Sequence, residues 1–234
     1  MRGPACIALA LVTTLFGACR IPEDPEGTLD RVEGGVMRVG VTASDPWVTL
    51  REGVPTGGVE VKLVRSFARD LDARIEWVDG AEEELIDALK EGALDLVIGG
   101  LTSKSRWKKD VAFTRPYVKT RTVVGVPPES SPPDDLDGVL VAVELGSEAE
   151  ALLDSETDAR LRPVDDLGEA GTRPVAAHDY VLDDLGLAIG PQLKEDEQVM
   201  AVRMGENAFM VRLERFLLNR EDEIERLLLA EGRP

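Results

Sequence analysis

Glu91-Gly92-Ala93-Leu94-Asp95-Leu96-Val97-Ile98-Gly99-Gly100-Leu101-Thr102 is the stretch whose reading decides the fold. Gly92 stops a helix, and residues 94–98 are mostly apolar, as in a strand covered on both faces. In the helix before it, Leu85, Ile86 and Leu89 form an inner face, while Glu82, Glu83 and Glu84 suit its positive N-terminus. Upstream, Ile75 and Trp77 alternate around Glu76, a strand period. Before them Val64, Phe67, Ala68 and Leu71 share one helical face, which Lys62, Arg65, Arg69 and Asp72 largely avoid. Gly57-Gly58 breaks the chain ahead of that helix, and Met37, Val39 and Val41 alternate with Arg38, Gly40 and Thr42 in a first strand. The order β-α-β-α-β implies right-handed crossovers and a parallel sheet.

Downstream, residues 122–126 read as a strand, and Pro127, Pro128, Pro132 and Pro133 then mark a nearby boundary. A second α/β unit opens with a strand over 139–143 and runs into Gly146-Ser147-Glu148-Ala149-Glu150, where Ser147 and Glu150 have capping-box spacing. Shorter elements follow at 160–164 and 174–177, then a helix through Tyr180 and Leu185. Residues 199–202 read as a strand returning to the first unit. The end is helical, with Phe209, Leu213, Phe216 and Leu217 on one face, then Ile224, Leu227 and Leu228. The expected fold is α/β and two-lobed: residues 35–123 plus 202–234 form lobe 1 and residues 124–201 form lobe 2. Each lobe is a mainly parallel sheet flanked by helices, and two hinge strands join them. Ligands of such folds sit at the C-terminal ends of the strands, and hinge closure is a known motion.

The first residues read as an address. Arg2 precedes an apolar run over 6–16, too short to span a bilayer, and Leu15-Phe16-Gly17-Ala18-Cys19 resembles a bacterial lipobox. Residues 1–18 are thus expected to be a lipoprotein-type signal peptide, with Cys19 carrying lipid and residues 19–34 forming a flexible tether. An ordinary signal peptide with a chance cysteine is the alternative. The expected localisation is the periplasm or cell envelope, anchored to a membrane through lipid.

Composition removes other classes. The chain holds 27 Lys+Arg against 45 Asp+Glu, a net charge of −18 that would repel nucleic-acid phosphates. His178 is the single histidine, and both cysteines, Cys6 and Cys19, fall in the first twenty residues. No disulfide framework, thiolate metal site or multi-imidazole site is available to the body. No catalytic residue, metal or cofactor is assigned, and the short carboxylate runs read as a solvated surface.

With these residues laid out, the chain resembles the bacterial extracellular solute-binding proteins of family 3, which serve polar amino-acid ABC transporters. Residues 35–42, Gly58-Val59-Glu60-Val61, residues 91–102 and Phe113-Thr114-Arg115-Pro116-Tyr117 carry the resemblance. Glu144-Leu145-Gly146-Ser147 and Ala177-His178-Asp179 add weaker matches. The resemblance implies a ligand held between the lobes by Asp45, Trp47, Gly100, Thr102, Gly146, Ser147 and Asp179. The Gly146-Ser147 helix start suits an anion, Asp179 an ammonium, and Trp47 a stacked side chain. Ser147 also reads as a plain cap, Trp47 as a core aromatic, and His178 as structural.

Two departures shift the ligand class. Trp107 stands where the family places the arginine that clamps an α-carboxylate, and Glu148 replaces a carboxylate-binding hydroxyl. Trp47, Trp107, Glu148 and Asp179 together imply a cationic or aromatic, amine-bearing solute. The expected partners are that small ligand, an ABC permease and a membrane, with the protein itself a monomer. The alternatives are a ligand-sensing or partner-binding module, and a dehydratase-like enzyme on the same scaffold.

Overall fold

The computed structural model describes residues 24–231. The signal segment, Cys6 and the lipobox Cys19 lie outside the described residues.

The chain runs α1 (Thr28–Val32), β1 (Val36–Val41), β2 (Thr49–Arg51), β3 (Val54–Gly57), α2 (Val59–Asp70), β4 (Arg74–Asp79), α3 (Glu82–Lys90) and β5 (Leu96–Ile98). Then come β6 (Ala112–Phe113), β7 (Val118–Val126), β8 (Leu140–Glu144), α4 (Glu148–Glu156), β9 (Arg160–Val164) and β10 (Val175–His178). The chain closes with β11 (Ala188–Gln198), β12 (Ala201–Val202), α5 (Asn207–Leu218) and α6 (Glu221–Glu231). Two five-stranded sheets result, ordered β4-β1-β5-β12-β6 and β11-β7-β10-β8-β9, beside a β2-β3 hairpin. Each sheet is parallel where α/β crossovers build it, at β4-β1-β5 and at β10-β8-β9. Each turns antiparallel where segments passing between the sheets join it.

The first sheet packs on its helices through the face that the helical period identifies. Phe67 of α2 meets Phe209 and Phe216 of α5, ring centroids 5.9 and 5.1 Å apart, and all three rings are buried. Leu85, Ile86 and Leu89 of α3 cover the other face, over Val97 and Ala201. In the second sheet, successive residues alternate between two small cores. Val124, Val141, Val143 and Ala176 face Leu153 of α4, whereas Val123, Ala142, Val175 and Ala177 face Ala170 and Leu182.

Two sequence expectations need correction. Residues 24–34 are not a free tether. Asp24 accepts hydrogen bonds from Ala208 N (2.6 Å) and Phe209 N (3.0 Å) at the start of α5, and from Leu29 N (2.8 Å) in α1. Glu206, the residue before α5, answers by accepting from Glu26 N and Thr28 N, both at 3.2 Å. Two helix starts with no cap of their own thus share side-chain acceptors across about 180 residues of chain, which satisfies amide donors each helix leaves orphaned. Second, the helix expected through Tyr180 and Leu185 is only a single 3-10 turn, Asp179–Val181. The eleven-residue β11 was not anticipated, because its stretch has no alternating pattern to announce it.

Asp24→Ala should lower unfolding free energy by about 2 kcal/mol, the upper range for losing a cap. A chain beginning at residue 35 should lose more than one beginning at residue 24. Urea denaturation of the three proteins checks this; equal midpoints would mean that residues 24–34 do not brace lobe 1.

Candidate functional site

β8, β9 and β10 run parallel, so their C-terminal ends emerge on one side, and each delivers a polar residue there. Glu144 ends β8, Asp165 and Asp166 follow β9, and His178 ends β10. Together with Asp45 and Pro46 from the loop after β1, and Glu231 from the end of α6, they line a cleft of about 630 Å³. That is the volume range of small-molecule sites. Six carboxylate residues line it, Asp45, Glu144, Glu148, Asp165, Asp166 and Glu231, and among the described residues no lysine or arginine does. No group of three potential metal ligands occurs among the described residues.

The local geometry explains what each side chain offers. Ser147 caps α4, its Oγ accepting from Glu150 N at 3.2 Å, while Gly146 N donates to Glu150 Oε2 at 2.6 Å and Ser147 N to Glu144 O at 3.2 Å. The amide donors at Gly146-Ser147 are therefore spent inside the chain, and the anion cradle expected from sequence is already filled. Asp45 Oδ1 accepts from Thr49 Oγ1 at 2.7 Å. His178 stacks on Tyr180, centroids 5.1 Å apart and planes 11° from parallel, giving the cleft one flat ring pair. Burial pushes the His178 imidazole below its ordinary value of 6.5, against the pull of Glu148, Asp179 and Asp196. Burial likewise raises the Tyr180 phenol.

Of the residues singled out from sequence, Asp45, Ser147 and Glu148 line this cleft; Trp47, Gly100, Thr102, Trp107, Gly146 and Asp179 do not. Trp47 is 7% exposed and packs edge-on against Tyr117 in the main core, so it is the core aromatic and not a stacking surface. Gly100, at φ 70°, is where the chain passes under that indole: a Cβ there would sit 2.4 Å from Trp47 Cδ1. Thr102 bridges to Gln198 in the strand passing between the sheets. Trp107 packs on the core beneath α3, and its Nε1 donates to Glu82 Oε1. Arg106 lies over the Trp107 ring at 4.1 Å and 3.5 Å from Glu83, so it supplies no clamp in the cleft either. Asp179 is held by Arg121, its Oδ2 accepting from Nε at 2.8 Å and its Oδ1 from the Arg121 amide at 3.2 Å. Sequence reasoning missed Glu144, Asp165, Asp166 and Glu231. The first three sit at or just past strand ends, which was the available signal; Glu231 depends on how α6 folds back.

The family model described as bacterial extracellular solute-binding proteins, family 3, matches residues 37–227. This chain belongs to that family. Its fold is shared by solute-binding proteins among solved structures. It matches an ancestral cationic amino acid solute binding protein (TM-score 0.66, 21% identity) over 88% of this chain and 100% of that one. It also matches the unliganded open L-cystine solute receptor of Neisseria gonorrhoeae (TM-score 0.63, 18% identity) over 87% of this chain and 95% of that one.

The curated relatives are of a different kind. A membrane-bound lytic murein transglycosylase F of Pseudomonas syringae pv. tomato is 34% identical over 168 residues, 67% of this chain and 33% of the relative. Its counterpart in Pseudomonas putida strain F1 is 39% identical over 121 residues, 49% of this chain and 24% of the relative. The chain thus spans about a third or less of the length of these relatives. One structural neighbour, with a TM-score of 0.55, is described as a precursor of cyclohexadienyl dehydratase. The family is mainly one of extracytoplasmic binding proteins, and enzymes also carry its scaffold.

The depressed His178 pKa gives a signed pH dependence. An imidazole that resists protonation when folded contributes stability above its unfolded pKa of 6.5, and that stability declines as pH falls below 6.5 towards the folded value. His178→Asn should therefore lose less stability than the wild type between about pH 7 and pH 5. Denaturation midpoints at both values check this, and parallel losses would contradict it.

Proposed function

We propose that this chain is an extracytoplasmic solute-binding lipoprotein whose cleft takes a small cationic, amine-bearing solute for delivery to an ABC permease. The observation that carries the reading is the charge of the cleft, six carboxylate residues with no lysine or arginine among the described lining. An ammonium entering it gains charge-assisted hydrogen bonds at a site that repels anions. Among the described residues no carboxylate clamp faces the cleft, which supports the same ligand class: Trp107 and Arg106 are engaged with α3, and the Gly146 and Ser147 amides are engaged within the loop. The stacked His178–Tyr180 pair adds a flat surface for an alkyl chain or a cation. Cys19 would hold the lipid, with the signal peptide removed, and the solute-loaded monomer would meet its permease at the membrane.

A ligand-sensing module without a transport role is the second reading, favoured by the curated relatives, in which the matched segment is about a third or less of a longer chain.

Thermal-shift assays of the full chain in detergent, against L-arginine, L-lysine, putrescine, L-glutamine and L-glutamate, test the ligand class. A ligand at a hundredfold over its Kd adds about 2.7 kcal/mol to stability, a readable rise in Tm. The cationic solutes should raise Tm and L-glutamate should not, and Glu148→Lys should weaken the cationic binding. A shift with L-glutamate or L-glutamine alone would overturn the ligand class; in the sensing reading, binding persists but no permease is captured.

A further inference from the structure

Two of the cleft carboxylates are met by cations of the chain itself: Glu231, at the rim supplied by α6, pairs with Lys62 of α2, and Glu148, at the start of α4, pairs with Lys194. Lys194 Nζ donates to Glu148 Oε1 and lies 2.7 Å from Asp196 Oδ2. Lys194 is not among the residues lining the cleft, so it takes Glu148 from outside, while Glu148 itself faces the cavity. Its position follows from β11. The pairing of β11 with β7 slips between Gln192 and Lys194, and such irregularities re-aim a side chain. Asp196, buried at 7% exposure, then holds the ammonium from below. The pair is accessible enough to be broken, with Lys194 at 31% and Glu148 at 43% side-chain exposure. Arg121 differs: it grips Asp179 through both side chain and backbone, and Asp179 does not face the cleft.

We propose that Lys194 is a specificity-determining residue that competes with the ligand's ammonium for Glu148, setting how strongly the cleft must be engaged before an amine binds. This rests on the reading of the cleft as an amine site. A monovalent amine that bonds Glu148 must share its carboxylate with Lys194, whereas a solute with two or more cationic groups also engages the carboxylates of Glu144, Asp165 or Asp166, which no residue-borne cation lining the cleft neutralises. Lys194 thereby biases the site toward multiply charged amines and against singly charged ones.

The test is calorimetric titration of the full chain in detergent with putrescine, spermidine, L-arginine and L-glutamine, comparing wild type with K194M and K194R. K194M should bind the cationic probes up to about fivefold more tightly, the scale of an exposed ion pair, with a larger gain for L-arginine, net charge +1, than for putrescine or spermidine, and no gain for L-glutamine. K194R should stay at the wild-type affinity. In an E148Q background K194M should change nothing, a coupling that a merely structural role for Lys194 would not produce. If K194M proves unstable, K194Q carries the same comparison. Equal or weaker cationic binding by folded K194M, or an equal gain in the E148Q background, overturns the role of Lys194 and leaves the amine site standing. No binding of any cationic probe by wild type or variants overturns both.

Discussion

The Glu60 carboxylate is the point on which lobe 1 depends. It is completely buried in the first turn of α2 and accepts from Gly99 N at 2.8 Å and Gly100 N at 3.0 Å, just past the end of β5. Its other oxygen accepts from Tyr117 Oη at 2.6 Å, at the entry to β7. One side chain therefore satisfies two backbone donors that a glycine turn leaves unpaired, and ties them to the segment that leaves for lobe 2. Burial raises the carboxyl above its ordinary range, opposed by the Tyr117, Gly100 and Gly99 bonds. The arrangement is costly to break, because three donors would be left buried without an acceptor.

Around that point the chain folds with little freedom. Gly58, at φ 101°, lets the start of α2 press on the loop after β1, where a Cβ would stand 2.3 Å from Trp47 O. Trp47 in turn packs over Gly100 and against Tyr117. Asp95 anchors the far end of β5: Arg38 and Arg31 both bond its carboxylate, which the Arg38 amide also meets at 2.8 Å. These contacts fix where β5 ends and β7 begins, and so fix how lobe 1 presents Asp45 to the second sheet.

The elements with a strong period were legible in sequence. β1, α2, β4 and α3 fall where apolar alternation and helical faces place them, since each buries one face, and β5 falls where a continuous apolar run places a strand buried on both. Gly58 and Glu60 were legible as part of a family motif, though not as a lock on Gly99 and Gly100. What escaped was structure made by pairing alone. β11, at the edge of its sheet, is set by its irregular pairing with β7 and carries charged residues such as Lys194 and Asp196 in place of an apolar alternation, and the clamp of Asp24 on α5 joins residues far apart in the chain. The site was legible in part for the same reason. Ser147 and Glu148 follow a capped helix start, whereas Trp47, Trp107 and Asp179 have local meanings that only their packing partners reveal.

The cleft's role as an amine site is tested most directly by hydrogen–deuterium exchange of the full chain in detergent, with and without saturating spermidine. The expected result is slowed exchange in peptides covering residues 144–150 and 164–168, around the Glu144, Glu148, Asp165 and Asp166 carboxylates. Protection confined to other surfaces, with those two segments exchanging as before, would contradict it.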